Sequence, residues 1–170
     1  MDIQAAGPAH MAGIAAIYND AVAHTTAIWN DTPVDAANRR DWWQQRRERG
    51  YPVLVALGGG GQVLGYASFG DFRAFDGYRF TVEHSVYVHT DARRAGVARA
   101  LMERLVAEAR ALRKHALVGA IESGNAASIA LHAKLGFQEV GRMPQVGTKF
   151  GRWLDLTWMQ LLLDAQPSPP

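Results

Sequence analysis

Two adjoining segments hold the residue types that are suited to chemistry. Glu83 and His84 are titratable side chains within a strand-like run at residues 81–88. After a short polar turn, the run Arg93-Arg94-Ala95-Gly96-Val97-Ala98-Arg99 opens an amphipathic helix. Unpaired N–H groups at a helix start bind anions, and small residues let a phosphate approach the backbone. The pattern therefore predicts a phosphate site directly after a strand.

The phosphate site needs a strand before it and a helix after it, and the hydrophobic periodicity predicts both. Strands are predicted at residues 3–5, 52–57, 63–69, 81–88, 116–121, 138–143 and 153–163. Helices are predicted at residues 8–23, 35–49, 95–112 and 126–135. The resulting order, β-α-α-β-β-β-α-β-α-β-β, is typical of an α/β (α+β) fold in which helices cover a mixed sheet.

Length and composition favour one globular domain. The chain has 170 residues, of which 48% are hydrophobic. No apolar run reaches the roughly 18 to 20 residues that span a bilayer. The first residues lack a basic segment followed by an apolar one, so no secretory signal is predicted. We expect a cytoplasmic protein with a single domain at residues 1–163 and a disordered, proline-rich tail at residues 164–170.

Several kinds of site and partner are not expected. The chain has no cysteine, which excludes disulfides, thiolate metal sites and cysteine nucleophiles. Its histidines lack the spacing of metal ligands, so no metal is expected. A net charge of +2 is too small to indicate a nucleic-acid-binding protein.

Three motifs in fixed order resemble the GNAT superfamily of N-acetyltransferases. They are Arg93-x-x-Gly96-x-Ala98, Asn125-Ala126-Ala127-Ser128 and Leu131-His132-Ala133-Lys134-Leu135-Gly136-Phe137. The resemblance implies the GNAT fold, which has a mixed, mostly antiparallel, twisted sheet flanked by helices, and it makes residues 1–163 one N-acetyltransferase domain.

Further segments resemble one group within that superfamily, the phosphinothricin and methionine sulfoximine (or methionine sulfone) acetyltransferases. The resemblance covers essentially all of residues 1–163. The segments are Ile17-Tyr18-Asn19, Thr25-Thr26-Ala27-Ile28-Trp29, Gly65 to Arg73, Thr81 to Val88 and Met143 to Trp153.

The resemblance implies acetyl-coenzyme A (acetyl-CoA) as the donor. Backbone groups of a strand would pair with its pantetheine arm, and the phosphate loop would hold its pyrophosphate. Asn125 would contact the donor and also cap the helix that follows it. The implied donor-binding residues are Val86, Tyr87, Val88, Arg94, Ala95, Gly96, Val97, Ala98, Arg99 and Asn125.

The implied reaction is direct attack of an acceptor amine on the thioester. Glu83 is the candidate base, directly or through water, and its alternative is a surface carboxylate. His84 could assist, but neighbouring residues of a regular strand point to opposite faces, so both reach one site only if a bulge intervenes. His132 stands where many members have a tyrosine that acts as the general acid. Its alternative is a buried structural role.

An amino-acid acceptor brings a carboxylate, which calls for arginine. The implied acceptor-binding residues are Arg73, Ala74, Phe75, Glu83, His84 and Ser85. The group also implies a homodimer and resistance to herbicides or antimetabolites of this shape.

Other functions stay open. The acceptor could be a protein N-terminus, a polyamine or an aminoglycoside. The chain could also be a non-catalytic acyl-CoA-binding module.

Overall fold

The structure, a computed structural model, describes residues 1–169 and contains the predicted elements in the predicted order. This order confirms the predicted α/β fold. The strands are β1 (Asp2–Ala5), β2 (Val53–Leu57), β3 (Val63–Asp71), β4 (Thr81–Val88), β5 (Ala116–Glu122), β6 (Gln138–Lys149) and β7 (Arg152–Leu162). The helices are α1 (Met11–His24), α2 (Ala36–Glu48), α3 (Val97–Ala111) and α4 (Ala126–Lys134).

The strands form one seven-stranded mixed sheet in the order β1-β2-β3-β4-β5-β7-β6. All neighbouring strands are antiparallel except β4 and β5. This parallel pair joins only Thr81–His84 to Ala116–Gly119, whereas β3 pairs with β4 as far as Val88. Beyond Gly119, β5 continues beside β7 alone. Among the described residues, the second half of β4 therefore has a strand partner on one side only.

Helices cover both faces of the sheet. On one face, Ile14 of α1 and Trp43 of α2 pack with Tyr66 of β3. On the other face, Leu101 and further apolar residues of α3 pack with Phe69 of β3. Because side chains alternate along a strand, β3 contributes to both layers. Full burial of each such apolar side chain stabilises the fold by about 1.5–3 kcal/mol.

Strand β6 is longer than the sequence pattern indicated. It was predicted to end at Met143 but continues to Lys149. Its pairing with β7 shifts register between Glu139 and Gly141 and again between Met143 and Gly147, and these irregularities break the alternation that marks a strand. The hairpin then closes through two residues with positive φ, Phe150 at 51° and Gly151 at 69°, as a tight turn of the primed type requires.

The end of the chain is irregular. Residues 163–169 have no regular secondary structure, and Asp164 contacts Nδ1 of His115 at 2.8 Å. The domain limits 1–163 and the disordered tail at 164–170 stay predictions, and Pro170 lies outside the described residues.

Helix α3 approaches the sheet closely because Gly65 has no side chain. A Cβ on Gly65 would lie 2.9 Å from the Tyr87 carbonyl oxygen, 3.0 Å from Val97 Cγ1 and 3.1 Å from Leu101 Cδ1. The first turn of α3 therefore lies against β3 and beside the end of β4.

Gly65→Ala is expected to lower the free energy of unfolding by about 1–3 kcal/mol, because the added methyl group overpacks this contact. Urea denaturation measures the change. Gly59→Ala is the matched control, because a Cβ there meets nothing within 4 Å. Equal stability of the two variants would show that α3 does not depend on this close approach.

Candidate active site

The divergence of β4 and β5 opens a groove of about 620 Å³ within the sheet, between these two strands. Its walls come from β4, from the loop after α1 and from the segment between β5 and α4. The lining includes Ala27, Val86, Tyr87, Val88, Arg93 and Asn125. The predicted donor-binding residues of β4 and Asn125 therefore face one continuous space.

Backbone groups of β4 point into this groove. The His89 N–H donates to the Leu64 carbonyl at 2.8 Å. Every second residue before His89, such as Tyr87, therefore also directs its backbone N–H and C=O groups towards β3. Val86 and Val88 lie between them and direct their N–H and C=O groups to the opposite side, from which β5 has departed. An extended ligand with amide groups can pair there as an added strand.

The start of α3, where a phosphate loop is predicted, has backbone geometry that suits an anion. Arg94 (φ 62°) and Gly96 (φ 80°) adopt left-handed backbone conformations, and Gly96 is the N-cap without a side-chain cap. The first helical hydrogen bond in this turn runs from Ala100 N–H to Gly96 O at 3.0 Å. The N–H groups of residues 97–99 therefore precede the helical ladder and remain available to an anion.

The remaining side chains near this loop have defined places. The Arg99 Nε donates to Glu103 on the surface of α3 at 2.7 Å, whereas Arg94 and Ala95 are exposed. Asn125 caps α4 by accepting from the Ser128 N–H at 3.1 Å. The cap orients Asn125 in the wall of the groove.

A smaller cavity of about 160 Å³ adjoins the groove, and Val86, Tyr87 and Asn125 line both spaces. Glu83, His84, Ser85 and His132 also line the cavity. The pairing of β3 with β4 is regular through Glu83 and His84, so the expectation that a bulge must bring them together was wrong. Strand β5 separates from β4 immediately after His84. The gap between the two strands connects the two faces of the sheet, so both residues reach the cavity.

Two stacked imidazoles form the buried side of the cavity. The rings of His84 and His132 are parallel to within 15°, with centroids 5.0 Å apart, and both contact the edge or face of Phe137. His132 Nδ1 donates to the Ser128 carbonyl at 2.7 Å, whereas its Nε2 is buried with no protein partner within residues 1–169. Burial lowers the pKa of His132. A neutral imidazole that donates through Nδ1 presents Nε2 as a proton acceptor, so a general-acid role requires protonation first.

Glu83 is half-buried and lies on the face of the sheet opposite His84. Burial raises the pKa of its carboxyl, while the positive charges of Arg73 and Arg46 oppose that rise. A carboxylate with a raised pKa is a stronger base than an exposed one, as proton abstraction from an ammonium group requires.

The predicted acceptor segment at residues 73–75 lies outside the small cavity. Arg73 is exposed, donates to the Phe72 carbonyl at 3.0 Å and stacks on the Phe72 ring at 4.4 Å. Ala74 and Phe75 are also exposed, Phe75 by 76%. The structure therefore brings the charge of Arg73 towards Glu83 but packs neither Ala74 nor Phe75 against the cavity.

Sequence reasoning missed the residues that hold the loop after α1 over the site. Thr26 Oγ1 donates to Glu122 Oε2 at 3.0 Å, which fixes the neighbouring Ala27 in the cavity wall. The buried ammonium of Lys149 donates to the carbonyl of Ile28. The sequence pattern offered no signal for Lys149, because this residue lies beyond the predicted end of β6 at Met143. Glu122 has none, because its partner is 96 residues distant.

Acid is expected to destabilise the protein through His84. Burial and the neighbouring His132 lower the pKa of His84 to about 3, from 6.5 for the ordinary side chain. Between these pH values the unfolded chain binds more protons, so the free energy of unfolding decreases as the pH falls, by up to about 1.4 kcal/mol per pH unit from this group. Denaturant unfolding of wild type and His84→Leu from pH 7 to pH 4 measures the difference. Parallel stability curves would contradict the burial of a neutral imidazole.

Residues 1–169 lack two further kinds of feature. No group of three or more His, Cys, Asp or Glu side chains comes together as a metal site, and the absence of a metal stays a prediction. No helix in this part of the chain has the length and apolar character needed to cross a membrane.

The sequence is similar to a known family model and to known proteins. The sequence model of the Acetyltransferase (GNAT) family matches residues 14–137. The L-methionine sulfoximine/L-methionine sulfone acetyltransferase of Pseudomonas aeruginosa is 61% identical over 168 residues, which cover 99% of this chain and 98% of the relative. The phosphinothricin N-acetyltransferase of Alcaligenes faecalis is 40% identical over 153 residues, or 89% of this chain and 77% of the relative.

A solved structure has the same fold throughout. A putative acetyltransferase from Salmonella typhimurium, determined with its cofactor acetyl-CoA, has a TM-score of 0.96 and 57% identity and covers 100% of this chain and 98% of its own. Sequence and fold agree with the resemblance carried by the three motifs. The chain belongs to the GNAT family of acetyltransferases.

Proposed function

We propose that this enzyme transfers the acetyl group of acetyl-CoA to the α-amino group of a small amino acid with an oxidised side chain. Methionine sulfoximine, methionine sulfone and phosphinothricin are the proposed acceptors, in line with the activities for which the relatives are named. The observation that carries the proposal is the junction between the open edge of β4 and the cavity that contains Glu83. A donor in the groove and an acceptor at Glu83 would meet at this junction.

The donor side relies on backbone groups. Val86 and Val88 would hydrogen-bond to the amides of the pantetheine arm, and the start of α3 would bind the pyrophosphate. Arg94 and Arg99 add positive charge around this turn. The bound donor supplies an acetyl thioester, and its carbonyl oxygen would face the backbone N–H groups of β4, which stabilise developing negative charge.

The acceptor side relies on titratable groups. An α-ammonium group has a pKa of about 8 or above, so it must lose a proton before its nitrogen can attack. Glu83 would accept that proton, directly or through water. A carbon–nitrogen bond then forms at the acetyl carbon, the carbon–sulfur bond breaks, and the thiolate leaves and takes up a proton. The attacking nitrogen must also lose its second proton. His132 would accept it at Nε2, because its Nδ1 donates to the Ser128 carbonyl, and would pass it to the thiolate, with His84 assisting.

The proposal also includes a homodimer in the cytoplasm and resistance to acceptors that act as herbicides or antimetabolites. The surface of β6, of the turn that follows it and of the start of β7 supports self-association. Several large apolar side chains are exposed there, and β6 is an edge strand. They are Val140, Met143, Val146, Phe150 and Trp153.

A thiol-release assay with acetyl-CoA tests the acceptor class. At equal concentration, the three proposed acceptors are expected to give faster turnover than lysine, spermidine, an aminoglycoside or a peptide N-terminus. Faster turnover with spermidine or the aminoglycoside would assign a different acceptor, and no turnover with any amine would favour a non-catalytic acyl-CoA-binding module.

Glu83→Gln provides the internal control for this assay. It is expected to lower turnover by about 10²-fold or more, because the amide cannot accept the proton. Glu139→Gln, on the exposed surface of β6, is the matched substitution and should leave turnover unchanged. Near-normal turnover of Glu83→Gln across the pH range would exclude Glu83 as the general base.

Gly96→Val is expected to weaken coenzyme A binding, because a β-branched residue strains the left-handed backbone that aims the N–H groups of α3. Gly61→Val is a matched control: Gly61 has the same φ of 80° and equally open surroundings, but lies in the β2–β3 turn. Both variants should lose similar stability, and calorimetry should show weakened binding for Gly96→Val alone. Equal affinity of the two variants would contradict the phosphate-loop assignment.

A further inference from the structure

Arg46 of α2 holds its guanidinium against Gly70 of β3. A Cβ on Gly70 would overlap Nη1 of Arg46, so the guanidinium occupies the space that a side chain at position 70 would fill. Gly70 is directly opposite Glu83 in the β3–β4 pairing. Opposed residues of antiparallel strands point to the same face, with Cα atoms about 5.5 Å apart in a hydrogen-bonded pair. The guanidinium of Arg46 therefore adjoins the side chain of Glu83.

The guanidinium of Arg46 has a hydrogen-bond donor without an acceptor in the described part of the chain. Its Nε is buried and has no partner among residues 1–169, and it forms no ion pair in this part of the chain. The nearby carboxylate of Asp71 already accepts from Arg49 and from the Tyr51 hydroxyl. Because the protein encloses Nε, an incoming anionic group would bind the Nη atoms, and its charge would offset the cost of burying the guanidinium.

We propose that Arg46 binds the carboxylate of the amino-acid acceptor while Glu83 takes its ammonium group, an inference that rests on the proposed function. Both groups of the acceptor are attached to one carbon atom, so an adjacent cation and anion on the protein match them. The planar guanidinium can accept a carboxylate with two parallel hydrogen bonds.

The two arginines near Glu83 then have different tasks. Arg46 is half-buried on a helix, so its position is defined before the acceptor arrives. Arg73 is exposed on a loop and stacks only on Phe72, which leaves it able to reach the oxygen atoms of the acceptor side chain. Both charges also oppose the rise in the pKa of Glu83 that burial causes.

Kinetics of Arg46→Met with two acceptors test the assignment. The acceptors are methionine sulfone and 3-(methylsulfonyl)propan-1-amine, which keeps the amine and the sulfone but lacks the carboxylate. The KM for methionine sulfone is expected to rise by about 10-fold or more, because the variant loses a charge-assisted hydrogen bond to the carboxylate. The KM values for the decarboxylated amine and for acetyl-CoA should stay unchanged. Equal losses with both acceptors would overturn the proposal, because a structural role or an effect through Glu83 does not distinguish them.

Further variants keep the result decisive. Arg40→Met, exposed on the same helix, should leave both acceptors unaffected. Gly70→Ala displaces the guanidinium without removing it and should give the same selective rise. If Arg46→Met does not fold, Arg46→Lys keeps the charge but loses the planar fork, and it should still raise the KM for methionine sulfone selectively.

Calorimetry separates this inference from the proposed function. Methionine sulfone is titrated into coenzyme A-bound wild type and Arg46→Met. Binding by wild type without turnover overturns the proposed function, and the difference in affinity between the two proteins still decides the role of Arg46. Equal affinities overturn the role of Arg46 alone, and no binding to wild type overturns both.

Discussion

The short parallel contact between β4 and β5 is the constraint on which the site depends. The two strands pair only along Thr81–His84 and Ala116–Gly119, and then β5 follows β7 while β4 stays with β3. A longer pairing would close the sheet, satisfy Val86 and Val88 internally and remove the cavity. The His84 ring lies at the point of divergence, where a Cβ on Gly119 would be 2.6 Å from His84 Nε2. One local interruption of the sheet thus provides both an open strand edge and a passage between its faces.

The same opening explains why polar groups are buried here. Four titratable side chains are partly or wholly removed from water here: Glu83, His84, His132 and Arg46. Burial raises the pKa of Glu83 and lowers the pKa of the other three, which in each case favours the neutral form. Such groups reduce stability unless they find partners. The apolar layers on both faces, formed by α1 and α2 on one side and α3 and α4 on the other, offset this cost. The apolar layers of the helices and the sheet therefore stabilise a polar centre.

The parts that could be predicted from sequence are those determined by local patterns. Gly96 and the small residues around it indicate a phosphate turn without knowledge of the fold, and the periodicity predicts the order of the elements. The register shifts in β6 hid its second half, because they break the period of two on which strand prediction relies. Arg46 was missed for a different reason. The sequence of its helix is typical of a solvated, arginine-rich surface. Only the structure shows that the guanidinium lies against Gly70, which is paired with Glu83.

The position of coenzyme A in a crystal structure of the complex tests the central claim most directly. The account predicts that the pantetheine amides hydrogen-bond to the backbone N–H and C=O groups of Val86 and Val88, with the sulfur atom directed towards the cavity that contains Glu83. Coenzyme A bound elsewhere, or β5 paired with the second half of β4 in that structure, would contradict it.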